Sequence, residues 1–466
     1  MSRATKVLAL VMAGGKGTRL DPLTRERAKP AVPFGGKYKL IDFVLSNLVN
    51  SGVYSIYVLT QFKSQALAEH IRQTWAFGGL DRSHFITTVP AQMRTGESWY
   101  LGTADSVYQN LCLIEEHSPD IVMVFAGDHV YRMDVSQMAQ YHVEREADVT
   151  VAVVPMPVEK CRGLGVVVVD DYFRIVDFEE KPAKPTPMPT NPGIALVSMG
   201  NYIFNRQVLL EETCADAENP ASEHDFGHDI LPRIIKGLPS SAKSPLGAPD
   251  KSGRAVFAYD FRENRVPGDL QLSTSNSQTT AACLSRPIGT SCKLEVIPYW
   301  RDVGTIDAYW EANMDLRAAS PVFNLYNREW PVRTADFWNP PAKFVHEAGD
   351  RIGRAINSLV PDGCIISGAT VRGSILGRQV FVHSYAEVTD CVVLDGVDIG
   401  GGAKLHRAIV DENVRIPPGT VIGYNLEEDR KHFCVSEGGV VVITRADFHP
   451  VPIPTLSGDP APQPVG

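Results

Sequence analysis

Apolar residues along the chain change their spacing in a way that sorts it into two kinds of structure. Val7 to Ala13 is an unbroken apolar run that stops at Gly14-Gly15-Lys16-Gly17, the pattern of a buried parallel strand entering a glycine-rich turn. Leu40, Ile41, Val44, Leu45, Leu48 and Val49 then recur with helical period, which predicts an amphipathic helix closing at Gly52. Further strands are predicted at Ser55–Thr60, Phe85–Val89, Ile121–Ala126, Ile175–Phe178, around Ser198 to Phe204, and at Ala255 to Phe261. Between them, Ser64 is expected to cap one helix and Thr103 another that runs to about His117. This alternation predicts an α/β domain, a mostly parallel sheet with helices on both faces. Ligands of such sheets sit beyond the carboxyl ends of the strands, where the Gly14–Gly17 turn lies.

From about Leu359 the period changes. Val360, Ile366, Val371, Ile375, Val380, Val388, Val393, Val397, Ile399, Leu405, Ile409, Val414, Ile416 and Val421 recur roughly every six residues. One such rung cannot bury its apolar edge alone, so rungs stack, and a parallel β-helix is expected. The expected division is a first domain over 1–320, a linker over 321–355, the β-helix over 356–445 and a tail over 446–466. The Ser-, Thr- and Gln-rich stretch at 269–296 reads as a mobile surface insertion.

Composition narrows the function. The net charge of −9 argues against general nucleic-acid binding, which needs a basic face. No apolar run reaches the length of a membrane span, and Val7–Ala13 lacks a following cleavage site, so a cytoplasmic protein is expected. The eight cysteines include no C-x-x-C pair, which indicates neither zinc nor a disulfide framework.

The candidate chemistry starts at the first turn. Gly14, Gly15 and Gly17 let backbone N–H groups approach an anion, and Lys16 and Arg19 add positive charge. The spacing fits neither G-x-x-x-x-G-K-[ST] nor G-x-G-x-x-G. Lys29 stands out from a basic run because Pro30 fixes where its stem begins. Asp128, at the end of the Ile121–Ala126 strand, reads equally as a turn cap and as a cation ligand beside phosphates, and Asp302 carries the same two readings. Trp99 and Tyr100 read as packing residues or as ligand contacts. His383 and His406, one to a coil, read as structural.

Several motifs occur in one order: Ala13-Gly-Gly-Lys-Gly-Thr-Arg-Leu20, Lys29-Pro-Ala-Val, Trp99-Tyr-Leu-Gly-Thr-Ala-Asp105, Ala126-Gly-Asp-His-Val-Tyr131, Phe178-Glu-Glu-Lys-Pro182, Ser198-Met-Gly200 and Tyr299-Trp-Arg-Asp-Val-Gly-Thr305. With a hexapeptide β-helix after them, the chain resembles the bacterial ADP-glucose pyrophosphorylases (glucose-1-phosphate adenylyltransferases) of glycogen synthesis from about Lys6 to Val442. The resemblance implies a Rossmann-like nucleotidyltransferase domain, a left-handed β-helix, and transfer of AMP from ATP to glucose 1-phosphate with release of pyrophosphate. It implies catalytic roles for Arg19, Lys29 and Asp128, and Mg²⁺ held by Asp128 and Asp302. It implies nucleotide contacts at Gly14, Gly15, Gly17, Gln92 and Trp99, and glucose 1-phosphate contacts at Tyr100, Gly165, Glu180, Lys181 and Ser198. It also implies a homotetramer under small-molecule allosteric control, with no nucleic-acid or membrane partner. Glu26 and Pro33 stand where some members of the family carry an activator-binding lysine and a histidine.

Overall fold

The computed structural model describes residues 5–76, 84–94, 96–188, 191–237, 254–268, 299–349 and 351–448. The expected insertion at 269–296 and most of the expected tail lie outside the described residues. The chain divides into two compact units, Met1–Trp338 and Asn339–Gly466.

The first unit is built on a nine-stranded sheet. Its strands are β1 (Val7–Ala13), β2 (Ser55–Thr60), β3 (Phe85–Pro90), β4 (Ile121–Ala126), β5 (Val149–Pro157), β6 (Val166–Val169), β7 (Ile175–Glu179), β8 (Ile194–Asn205) and β9 (Val256–Asp260). The order is β7-β6-β8-β4-β1-β2-β3, with β5 between β8 and β9. Strands β4, β1, β2 and β3 are mutually parallel, whereas β8 runs antiparallel to β4. Strand β1 is buried on both faces, which is why its pattern is continuous rather than alternating. Ala9 and Val11 join one apolar layer with Ile41, Val44 and Met123. Leu8 and Leu10 join the other with Val122, Val124 and Phe204.

The helices are α1 (Leu40–Asn50), α2 (Gln65–Thr74), α3 (Thr103–Tyr108), α4 (Leu111–His117), α5 (Val135–Glu144), α6 (Arg206–Ala217), α7 (Leu231–Lys236) and α8 (Ile306–Asp315). Two expectations need correcting. The helix expected from Thr103 to His117 is broken at Gln109 and Asn110. There the Asn110 side chain donates to the Ser106 carbonyl and to the Tyr100 hydroxyl. Gly102 takes the capping position, and the Thr103 hydroxyl donates to Asp225 instead (2.9 Å). Ser64 stands at the start of α2 but caps with its carbonyl, which accepts from Ala68 N, and not with its side chain.

Residues 321–338 pack on the first unit. Phe323 and Trp330 are buried. Asn50 donates to the Pro331 carbonyl, Arg333 N donates to Ser46 Oγ, and Thr334 donates to buried Asp42.

The second unit has three five-stranded sheets of two- and three-residue strands. Successive rungs pair in parallel, as Ile366 with Val382, Val388 with Leu405, and Val393 with Val410 show, and one sheet ends in an antiparallel pair, Cys434–Val435 with Val441–Ile443. These side chains and Ile399, Ile416 and Cys364 fill one interior. The run Lys343–Val345, placed in the expected linker, already pairs with Ile365–Ser367. The periodic position expected at Val421 is offset by one: Val421 is 56% exposed and Ile422 is the buried residue.

Candidate functional site

Strand β1 ends in the glycine turn, whose path is determined by close packing. Gly17 has φ of 64°, a left-handed value that glycine adopts without strain. A Cβ there would also come within 2.8 Å of Lys29 Cβ. The turn therefore seats the stem of Lys29, whose side chain is 7% exposed.

Lys29 Nζ lies 2.8 Å from Asp128 Oδ2 and 3.4 Å from Asp302 Oδ1. Asp128 follows the carboxyl end of β4. Asp302 arrives from Trp300–Asp302, a short strand antiparallel to His129–Tyr131 that sets Asp302 opposite His129. His129 Nδ1 lies 3.1 Å from the Met199 carbonyl, so Nδ1–H donates there and the other ring nitrogen faces the acids. That Nε2 lies 3.6 Å from Asp128 Oδ1 and 3.9 Å from Asp302 Oδ1. Burial pushes the Asp128 carboxyl up, but Lys29 and His129 beside it outweigh burial and hold it at about 2. Burial pushes the Lys29 ammonium down, and the two carboxylates outweigh it, so its pKa is raised. The Arg19 guanidinium completes the group: a side chain at Gly304 would meet it at 3.1 Å and the Asp302 carboxylate at 3.0 Å.

Arg19, Lys29 and Asp128 border a cleft of about 540 Å³, lined also by Gly14 to Thr18, Gln61, Tyr100, Thr103, Asp225 and Gly304; Asp302 and His129 stand behind its wall. Gln61, beyond β2, brackets Tyr100: its Oε1 accepts from Tyr100 N (2.8 Å) and its Nε2 donates to the Tyr100 carbonyl (3.3 Å).

Gly165, Glu180 and Ser198 form a neighbouring group. Ser198 N donates to the Gly165 carbonyl (2.9 Å), and a Cβ on Gly165 would meet Glu180 Oε2 at 3.2 Å. Two links join this group to the cleft. A Cβ on Gly227 would lie 2.8 Å from Glu180 Oε2 and 3.4 Å from Asp225 Oδ1. Gly200, whose N donates to Ser198 Oγ, approaches both Ala126 and the His129 ring. Lys181 is turned outward with a 61% exposed side chain, paired to Glu180 at 2.5 Å, and does not border the cleft. Gln92 accepts from the Arg94 guanidinium, and Trp99 is half exposed; neither lines the cleft.

Among the described residues, no three His, Cys, Asp or Glu side chains converge as a complete metal cage. A pair of carboxylates sharing one cation suits Mg²⁺, which keeps waters and takes one or two protein carboxylates together with substrate phosphates.

Residues 8–319 match the Nucleotidyl transferase family, and residues 340–443 match the GlmU-like, C-terminal hexapeptide family. Curated relatives match almost end to end. The glucose-1-phosphate adenylyltransferase of Thermus thermophilus is 48% identical over 94% of this chain and 98% of its own. That of Deinococcus radiodurans is 46% identical over 94% and 98%, and that of Methylococcus capsulatus 47% over 96% and 97%. The chain belongs to the glucose-1-phosphate adenylyltransferase family. As a glucose-1-phosphate adenylyltransferase it is an enzyme, a nucleotidyltransferase. No helix among the described residues is long and apolar enough to cross a membrane.

Several groups that the fold brings to the site carry no recognisable role in the sequence. His129 lies inside one of the ordered motifs, and Asp225 sits beside a helix start, but the partners of both are remote in the chain. Gln61 carries no local signal at all: one glutamine after a strand is unremarkable until Tyr100 is seen against it.

Proposed function

We propose that the protein transfers AMP from ATP to glucose 1-phosphate, giving ADP-glucose and pyrophosphate, with Mg²⁺ held by Asp128 and Asp302. The sharing of the Lys29 ammonium by both carboxylates, beside a glycine turn and Arg19, is the observation that carries this reading. A phosphate oxygen of glucose 1-phosphate attacks the α-phosphorus of ATP in line. The bond to the bridging oxygen breaks, and pyrophosphate leaves with its electron pair. No covalent protein intermediate is needed, so the task is alignment and charge neutralisation.

Gly14, Gly15 and Gly17 offer backbone donors to the nucleotide, and Arg19 takes the departing β- and γ-phosphates. Lys29 moves its charge from the carboxylates to the phosphate oxygens. Mg²⁺ held by Asp128 and Asp302 would supply charge neutralisation between the phosphate groups. Glu180 and Ser198, with Gly165 leaving room, receive the hexose, and Tyr100 borders it. Lys181 reaches the sugar phosphate by giving up Glu180, and Gln92 and Trp99 approach the adenine by movement of their loop. A homotetramer under effector control completes the proposal. Exposed Glu26 repels phosphorylated activators, and Pro33 is buried, so neither contributes the cationic contact expected in some relatives.

The test is Asp128→Asn in the full chain, assayed with ATP, UTP and dTTP. Turnover is expected to vanish while the variant stays folded at an unchanged assembly size, and unmutated protein is expected to prefer ATP. Near-normal activity in the variant would refute the metal role, and a preference for a pyrimidine nucleotide would refute the substrate assignment. Sedimentation velocity, and melting curves with sugar phosphates, pyruvate, AMP and phosphate, test assembly and control; a monomer, or no shift with any of them, would contradict those parts.

A further inference from the structure

Helix α1 reaches the segment after Asp128 through one carboxamide. Asn47 is 2% exposed. Its Nδ2 donates to the Tyr131 carbonyl (3.1 Å), and its Oδ1 accepts from Met133 N (3.1 Å). One turn later, Ser51 Oγ donates to the Asn47 carbonyl and accepts from Val135 N (2.8 Å). Residues 131, 133 and 135 are thus tied to α1 in alternation. Tyr131 is the last residue of the short strand that pairs with Trp300–Asp302, the strand that sets Asp302 beside His129 and Asp128. A neutral carboxamide offers a donor and an acceptor on separate atoms side by side, matching a carbonyl and an N–H two residues apart. A carboxylate would face the Tyr131 carbonyl with like partial charge, and an apolar residue would leave both backbone groups buried and unpaired. The same Oδ1 lies 3.4 Å from Trp330 Nε1, a longer and weaker contact on the far side.

We propose that Asn47 is a positioning residue for the Asp128–Asp302 pair: by holding the end of the 129–131 strand it sets the spacing at which the two carboxylates share a cation. The inference rests on the proposed metal role of these acids and assigns no contact between Asn47 and substrate.

The test uses the full chain and Mn²⁺ alone, with free Mn²⁺ followed by its paramagnetic resonance signal, alongside melting temperature and steady-state kinetics. Asn47→Ala is expected to weaken Mn²⁺ binding about tenfold, the scale for partners behind metal ligands, and to lower kcat while the KM for glucose 1-phosphate stays within about twofold. Trp330→Phe removes the far contact and leaves both bonds from Asn47 to residues 131 and 133, so it is expected to lower melting temperature without changing Mn²⁺ affinity. Wild-type Mn²⁺ affinity in folded Asn47→Ala overturns the proposal. So does a loss in Trp330→Phe that matches the loss in Asn47→Ala at equal loss of stability. If Asn47→Ala does not fold, hydrogen exchange in unmutated protein decides: amides at 129–134 are expected to slow on Mn²⁺ binding, and no slowing overturns it. Asp128→Asn separates the two failures, because Mn²⁺ binding that survives that substitution refutes the metal reading itself.

Discussion

Replacing Lys29 by Met should damage catalysis and yet improve metal binding in the absence of nucleotide. Lys29 Nζ sits 2.8 Å from one carboxylate and 3.4 Å from the other, so it is a resident cation on oxygens that a divalent ion also needs. Met keeps an unbranched stem and removes the charge. Asp128 gives the scale, since it is held at about 2 against an ordinary 3.8. Each pKa unit is worth 1.36 kcal/mol, so the neighbouring cations favour its charged form by about 2.5 kcal/mol net of the opposing cost of burial. The Asp128 side chain is 31% exposed, so solvent screens part of this, and His129 supplies another part. Roughly 1.4 kcal/mol remains for Lys29, which is about tenfold in cation affinity. Mn²⁺ titrated into nucleotide-free protein should therefore bind about tenfold tighter in Lys29→Met than in the parent, while turnover falls by orders of magnitude. The pH dependence of stability should change in a matching way. The Asp128 carboxyl is depressed, so its contribution is complete above about pH 4 and disappears as pH falls toward 2. The Lys29 pKa is raised, so its contribution is complete below its unfolded value and lost only as pH rises through the folded one. Lys29→Met should thus show a smaller drop in melting temperature between pH 4 and pH 2. Weaker or unchanged Mn²⁺ binding would refute the idea that ammonium and metal compete for the same oxygens.

Two substitutions test the supports around the site and in the second unit. A Cβ on Gly102 would lie 2.2 Å from the His224 carbonyl oxygen. Gly102→Ala must push apart the Tyr100 loop and the Asp225 turn, with an expected cost of about 1–3 kcal/mol and a raised KM; unchanged melting and kinetics would show that the two segments are not in register. Leu405 is fully buried among the stacked rungs, so Leu405→Ala should cost about 2–5 kcal/mol by calorimetry, and a loss below about 1 kcal/mol would contradict a packed interior.

The fold was legible wherever burial on two faces or a repeating rung determines the pattern. Strands β2 and β4 fall where their apolar runs predict, Ser55–Thr60 and Ile121–Ala126. The break between α3 and α4 was not legible, because apolar spacing continues through it and the interruption comes from Asn110 turning its amide to Ser106 and Tyr100. The offset at Val421 has a similar cause: a six-residue period identifies rungs, but Val and Ile side by side leave open which one points inward until its neighbours are stacked. In the site, the glycine turn is local and was read directly. The two acids were not: Asp128 and Asp302 each kept a capping reading until topology put them on one ammonium, 99 and 273 residues from its own position.

Backbone approach explains why motif order could still point to a site that contact reasoning could not assemble. Gly17 tolerates no Cβ because Lys29 lies against it, so the first two motifs constrain each other by volume. The 129–131 strand can pair with 300–302 only if the chain returns there after β9, so the Asp128 and Asp302 motifs constrain each other by register. Each motif alone is compatible with an ordinary turn; their joint geometry is not, since an ordinary turn would not bury a lysine between two carboxylates from remote strands. Lys181 has no such constraint. It is exposed and pairs with its neighbour Glu180, a surface contact of small worth that the proposed exchange for a sugar phosphate would give up at little cost. The rigid part of the site therefore lies where the metal and triphosphate are proposed to bind, and its adaptable part where the hexose phosphate is proposed to enter.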